Sequence, residues 1–461
     1  MGKQKTKGKE GELVQYITKG KAMRKLQLNT KQFHRLCILK GVYPRDPRKK
    51  KDSSKTYYHT KDVKYLAHEQ LLSKFREIDS WVKKIRKATV KKDGMKAEKL
   101  KENAPSYSLH HLLRERYPRF GDALRDLDDA LSMVCLFASC PSNKDYKISF
   151  DMIRMSERLW HEFELYLIVS KSVRKSFLSI KGIYYQAEIK GQEVTWLVPY
   201  QFAQHLPTDV DYSIMLTFLE FYHTLLRFVN FKLFQEVGLS YPPDLSVPTS
   251  QHISQAQVPE DNFHFDPEFQ SDPDVKKIQK MHEDREASKK LFKGFVFFLG
   301  RETPRYSLEL IIRSCAGEIA PDDCDQVTHQ IVDRPINETR QDREYVLPQW
   351  VYDCLNFKIL LPIAPYKPGC QAPPHLSPFV DYQQESHIPD RLKEIMQLKG
   401  ENIELQQEEE SQKKELGKIM MTKKIRNLYT RMQFSLKRKR ARVERLARGM
   451  EKMEVEESNP N

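Results

Sequence analysis

Several residues in this 461-residue chain could do chemistry, and their spacing decides against most of it. Four carboxylates, Asp122, Asp126, Asp128 and Asp129, invite a metal or acid–base reading. On one helix, Asp122 and Asp126 stack on a single face while Asp128 and Asp129 spread around it, so they do not converge on one ion. A partner surface, or an intramolecular match for basic helices, suits them better. His161-Glu162 opens like a zinc-protease motif, but no second histidine follows four residues later. His110-His111 lacks a cysteine or carboxylate at ligand spacing. The seven cysteines are scattered, odd in number and without a CxxC pair. That argues against both a zinc module and a disulfide framework, and fits a reducing compartment. There is no Gly-rich phosphate loop and no nucleophile–base constellation. The chain reads as a non-enzyme, with no cofactor and no metal.

What remains is cationic, and it is concentrated. Residues 1–100 hold 29 Lys plus Arg against 10 Asp plus Glu, whereas the whole chain carries only +15. One basic end on a near-neutral body points to a polyanion partner, nucleic acid first. The segment 44–55 carries Arg45, Arg48, Lys49, Lys50 and Lys51, and reads as a phosphate clamp that orders around RNA. Lys83, Lys84, Arg86 and Lys87 crowd the end of the next helix. There they either serve the helix dipole or extend the phosphate-binding face. Lys437, Arg438, Lys439, Arg440 and Arg442 form a cluster suited to nuclear targeting or RNA contact. No apolar run has membrane-spanning length, and the lysine-rich start is unlike a signal peptide.

The elements that must position these groups follow from periodicity. Residues 19–41 read as short helices, the second capped by Thr30, ended by Gly41 and turning Phe33, Leu36 and Cys37 inward. Residues 62–88 read as one helix with Leu71, Phe75, Ile78, Val82 and Ile85 on its apolar stripe. Helices are expected over 119–137, 150–173 and 211–238. Between the last two the period changes to two: Ile183, Tyr185, Ala187 and Ile189, a Lys190-Gly191 turn, then Val194, Trp196 and Val198. This is a β-hairpin whose apolar face packs on helices. A Pro-, Gln- and Asp-rich stretch then predicts a flexible linker over 241–288.

The stretch after that linker has a different grammar. Gly294 and an apolar run at 295–299 predict a buried strand. Thr303 and Pro304 offer an N-cap and first helical residue, and Leu308, Ile311, Ile312 and Cys315 make one helical stripe. Gly317 sits where a left-handed terminator is wanted. A β-branched strand at 327–332 and a Pro-started helix with Trp350 and Cys354 complete the order, which resembles a BRCT domain over 289–368. A second linker, 369–389, and a charged helical or disordered tail, 390–461, follow. In the tail Ile425, Leu428 and Met432 make one seam turn, too short for a coiled coil. The expected fold is multidomain: a mainly α-helical N-terminal domain with a small β-hairpin over 1–240, an α/β BRCT domain with a parallel sheet flanked by helices, and the tail.

Five runs carry a more specific resemblance: FHRLCILKG at 33–41, DALRDLDDALS at 122–132, SIKGIYYQAE at 179–188, DYSIMLTFLEFY at 211–222 and THQIVDRP at 328–335. They closely resemble the pescadillo family over roughly residues 1–380, although the long acidic tract of many members is missing. That resemblance implies a non-enzymatic assembly factor of the large (60S) ribosomal subunit in the nucleolus and nucleoplasm. It also implies a trimer with two WD-repeat proteins, one of the block-of-proliferation type. Association with pre-60S particles and pre-rRNA would follow, with a requirement in 5.8S and 25S/28S maturation that includes removal of internal transcribed spacer 2. On this reading the helical domain docks the block-of-proliferation partner, the basic segments hold pre-rRNA, and the tethered BRCT domain adds a second weak contact. The alternative is a phosphopeptide-reading adaptor in chromatin or DNA repair. Phosphate-binding BRCT domains usually place Ser or Thr before a Gly after the first strand, where this chain has Leu299-Gly300. They also use a lysine before the Trp helix, and residues 322–347 contain none.

Overall fold

The apolar stripe at 127–139 becomes α8 (Leu127–Ser139), which packs against α9 (Phe150–Ser170) and α10 (Tyr212–Glu236). The computed structural model describes residues 15–47, 54–200, 206–257, 283–321, 324–334, 340–380, 389–398 and, apart from 424, 433 and 437, 422–439. Residues up to Val380 form one unit and those from Asp381 a second. The three long helices bury Leu131, Val134, Phe163, Leu226 and Leu233 as the centre of the N-terminal domain. Polar residues on α10 are drawn inward by partners: Glu220 receives Arg35 and Tyr107, His223 pairs with Ser156 at 2.8 Å, and buried Asn230 donates to the Leu159 carbonyl.

Ahead of this core, α1 (Lys19–Leu26) and α2 (Thr30–Lys40) pack with a two-stranded ladder, β1 (Tyr16–Thr18) and β2 (Tyr57–His59). Asn29, not Thr30, caps α2, through a reciprocal capping box with Gln32. The expected helix over 62–88 is two, α3 (Thr60–Leu66) and α4 (Leu71–Val90). The break holds Glu69, whose carboxylate takes Lys40 at 2.6 Å and His111 at 2.7 Å. After α4 come α5 (Gly94–Glu102) and α6 (His110–Arg116). The expected helix over 119–137 also breaks, at Asp126, so that α7 (Phe120–Arg125) precedes α8.

The hairpin is part of a three-stranded antiparallel sheet, β3 (Val173–Ser179), β4 (Gly182–Ile189) and β5 (Gln192–Val198). Its turn has positive φ at both Lys190 and Gly191, as a two-residue hairpin requires. β3 was hidden because apolar spacing carries the preceding helix through Val173, whereas Lys171 ends it in a left-handed conformation. Both outer edges of this sheet are closed by side chains. On β3, Asn356 Oδ1 accepts the Ser176 N–H at 2.9 Å and its Nδ2 donates to the Ser176 carbonyl at 2.7 Å, while His375 Nε2 accepts the Leu178 N–H at 3.2 Å. On β5, Asp128 accepts the Thr195 N–H at 3.2 Å and Ser132 Oγ accepts the Leu197 N–H at 3.1 Å. Open edges would template pairing with another chain.

The α/β module has a parallel sheet in the order β7 (Glu318–Ile319), β6 (Val296–Leu299), β8 (His329–Ile331) and β9 (Glu344–Val346), with α12 (Arg305–Ser314) and α13 (Pro348–Phe357). Trp350 is buried, donates Nε1–H to the Leu361 carbonyl at 2.9 Å and stacks on His329. Cys354 is buried and its sulfur accepts the Leu361 N–H. Gly294 has φ +87°, a turn conformation that favours glycine. Two details differ from expectation. Thr303 does not cap α12; its hydroxyl donates to the Gly300 carbonyl. The left-handed residue after α12 is Ala316, and Gly317 is needed for packing, since a Cβ there would lie 2.7 Å from Ile312.

This module is docked, which corrects the picture of a free tether. α12 packs on α9 and α13 on β3. A buried hydroxyl chain joins Tyr185, Ser307 and Tyr352, at 2.7 and 2.6 Å. The supposed linker folds back as far as Gln257, whose N–H donates to the Val237 carbonyl, and α11 (Thr249–Gln255) lies on α9. Residues 258–282 of that stretch lie outside the described residues. Of the second linker, His375 stacks on Phe177 and Phe379 meets Tyr184, while 381–388 lie outside. Pro-rich composition removes helical periodicity but says nothing about buried contacts. In the second unit α14 (Asp390–Leu398) and helical residues at 425–432 are described, with Ile425, Leu428 and Met432 exposed.

Candidate nucleic-acid interface

The cations at the end of α4 belong to a projecting arm. Its base is fixed: Phe75 is buried edge-on to Tyr107, Gln32 donates to the Phe75 carbonyl, Arg76 donates to the Leu26 carbonyl and Asn29 to Asp79. Beyond Asp79 the cover runs out. Val82, expected on the inward stripe, is 39% exposed, and α5 returns alongside the helix. Asp93 turns the chain, accepting the Lys96 N–H to cap α5. Trp81 Nε1–H donates to the Leu100 carbonyl at 2.7 Å and stitches the two helices together, with the Lys84 ammonium 4.9 Å from its ring. Buried Ala88 and Ala97 leave little bulk between them.

Residues 80–102 carry nine cations, Lys83, Lys84, Arg86, Lys87, Lys91, Lys92, Lys96, Lys99 and Lys101, against Asp93, Glu98 and Glu102. All nine are exposed, and none forms an ion pair among the described residues. The helix dipole does not account for them. Its influence fades within the last turn of α4, which contains Lys87 alone, and it disfavours Lys92 and Lys96 at the start of α5. Like charges four apart, Lys83 with Lys87 and Lys87 with Lys91, oppose helix formation by a few tenths of a kcal/mol each. The arrangement costs helix stability and finds no carboxylate partner among the described residues, which leaves its cations open to solvent. The five lysines after residue 90 were missed because the apolar stripe ends at Ala88. Their density in the sequence was the available signal.

The other candidates separate. Arg45 is exposed, and its backbone N–H joins the ladder at the Tyr57 carbonyl, whereas Arg48, Lys49, Lys50 and Lys51 lie outside the described residues. Of the tail cluster Arg438 and Lys439 are exposed, and Lys437, Arg440 and Arg442 lie outside. The four aspartates do not meet as a metal site, and no metal-holding group occurs among the described residues. Asp122 sits 4.0 Å from Arg125, Asp126 stands at the break between α7 and α8, and Asp128 closes the β5 edge. Burial raises the Asp128 carboxyl despite the Thr195 N–H, with Asp129 and Asp126 adding to the rise. His161 pairs with Glu164 at 2.9 Å, and His111 with Glu69.

In the α/β module the Leu299-Gly300 position is enclosed by its own neighbours. The Gly300 N–H donates to the Ile331 carbonyl, and the Glu302 carboxylate lies so close that a Cβ on Gly300 would meet it at 2.6 Å. Arg343 is spent on the Gln330 side chain and the Cys324 carbonyl. A carboxylate beside the Gly300 backbone disfavours an anion there.

Comparison with known proteins places the chain among relatives. The model for the Pescadillo N-terminus matches residues 6–271, and that for the BRCA1 C Terminus (BRCT) domain matches 287–355. A pescadillo homolog of Nematostella vectensis is 41% identical, covering 97% of this chain and 96% of its own. Homologs of Xenopus tropicalis and Oryza sativa subsp. japonica are each 43% identical, over 87% and 86% of this chain and 78% and 74% of theirs. Among solved structures, the C-terminal BRCT domain of human XRCC1 is 27% identical over 18% of this chain and 96% of that one, with a TM-score of 0.17. A family model spanning more than half of the sequence, and relatives of this identity along most of it, establish that the chain belongs to the pescadillo family.

Proposed function

We propose that the chain is a non-enzymatic assembly factor for the large ribosomal subunit, acting in the nucleolus and nucleoplasm. On this reading it holds pre-rRNA and partner proteins during maturation of 5.8S and 25S/28S rRNA, including removal of internal transcribed spacer 2. Its protein partners are two WD-repeat proteins, of which the one of the block-of-proliferation type docks on the N-terminal domain. The observation that carries the RNA part is the α4–α5 arm, with its excess of exposed cations that form no ion pair among the described residues. The docked module supports a scaffold in preference to a phosphopeptide adaptor, because the Glu302 carboxylate lies against Gly300, where an anion would be disfavoured. Crosslinking in cells followed by sequencing of bound RNA tests the proposal. Reads at the spacer and adjoining large-subunit rRNA are expected, and reads spread evenly over mRNA would overturn it.

A further inference from the structure

We infer that the α4–α5 arm binds the backbones of double-stranded, A-form RNA, not single-stranded segments. The choice of RNA over DNA rests on the function proposed above; the choice of duplex rests on the arm itself. Single-stranded sites stack bases on exposed aromatic faces. The arm has one aromatic ring, Trp81, and it is engaged, by the Leu100 carbonyl through Nε1 and by the Lys84 ammonium over its face. Cations without a stacking platform read phosphates.

The layout of those cations also fits a duplex. Lys83, Lys87 and Lys91 follow one another at four-residue steps, roughly 6 Å apart along one side of α4. Lys96 and Lys99 lie on the returning helix, whose axis packs about 8–10 Å away. A pair of helices is too wide for the deep, narrow major groove of A-form RNA, but the shallow minor groove and its flanking phosphates are open to it. Val90 and Met95, 83% and 76% exposed at the turn between the helices, would then rest on sugar surfaces in that groove.

The test uses the full chain and three labelled probes: an RNA duplex of mixed sequence, one of its separated strands, and the DNA duplex of the same sequence. Anisotropy titrations at several salt concentrations should show the RNA duplex bound at least about tenfold more tightly than the single strand. Changing Lys83, Lys87, Lys96 and Lys99 together to Gln should weaken duplex binding by about tenfold or more and reduce the log–log salt slope by about 3. The corresponding Arg variants should retain binding, and unchanged helical circular dichroism and melting show that the variants still fold. A preference for the single strand, or a quadruple Gln variant that binds duplex RNA as the parent does, overturns the inference and leaves the ribosomal reading intact. Equal affinity for the DNA duplex overturns A-form selectivity and counts against that reading too.

Discussion

Lys40 shows how much one residue can depend on its neighbours. Its side chain is 5% exposed, as is that of Glu69, and its ammonium lies 2.6 Å from both Glu69 and Glu115 and over the Tyr65 ring. Burial alone would lower the lysine, yet Glu115 and Glu69 hold it above its ordinary value of 10.5. Burial alone would raise Glu69, yet Lys40 and His111 hold it below the ordinary 4.5. The contribution of Glu69 to stability is therefore complete above about pH 4.5 and lost as pH falls through its depressed folded value. That of Lys40 is complete below about pH 10.5 and lost as pH rises through its raised folded value. Glu69→Gln should destabilise the unit by about 3 kcal/mol, because it leaves a buried ammonium short of one partner. Urea denaturation measured from pH 3 to 8 checks this; the variant should also lose part of its parent's acid dependence.

At the scale of elements, the edges of the β3–β5 sheet account for Asp128, one of the carboxylates that invited a metal or acid–base reading. Asp128 and Ser132 serve β5, and Asn356 and His375 serve β3. Asn356→Ala would remove both partners of Ser176 and should cost about 2 kcal/mol. Light scattering on a concentration series should then show more self-association than in the parent, since the β3 edge is opened. A variant that stays monomeric at every concentration would show that the cap is dispensable. Much of this architecture was legible. Tyr185, Ala187, Val194 and Trp196 alternate because one face is buried, and Trp350 stands in a helix whose Pro start is unambiguous. The rest had physical reasons to stay hidden. β7 is two residues long, too short to show a period. Val82 continues a good stripe, but periodicity does not say whether a partner covers it. The Asn356–Ser176 pair joins positions 180 apart that share no pattern. In the arm, the lysines of α4 were visible as cations, and only the fold showed that the dipole does not explain them.

For the N-terminal domain and the docked module together, stability is expected to be shared. Trp350→Ala should cost about 3–5 kcal/mol, and because α12 and α13 pack on α9 and β3, the loss should appear in the melting of both parts as one shifted transition. Calorimetry that resolves an unchanged N-terminal transition would show the two to be independent. A chain ended at Gln257 should be prone to aggregate, since Tyr185 and the β3 edge lose their cover, and a fragment spanning 283–380 supplied in trans should rescue its solubility. The same edge has a consequence during synthesis. Leu178 waits for His375, 197 positions downstream, so at translation speeds of about 5–20 residues per second the strand emerges some 10–40 s before its closure. For that interval the nascent chain offers an open strand to whatever is nearby, which makes it a natural client for a ribosome-associated chaperone until the last residues of the docked module arrive.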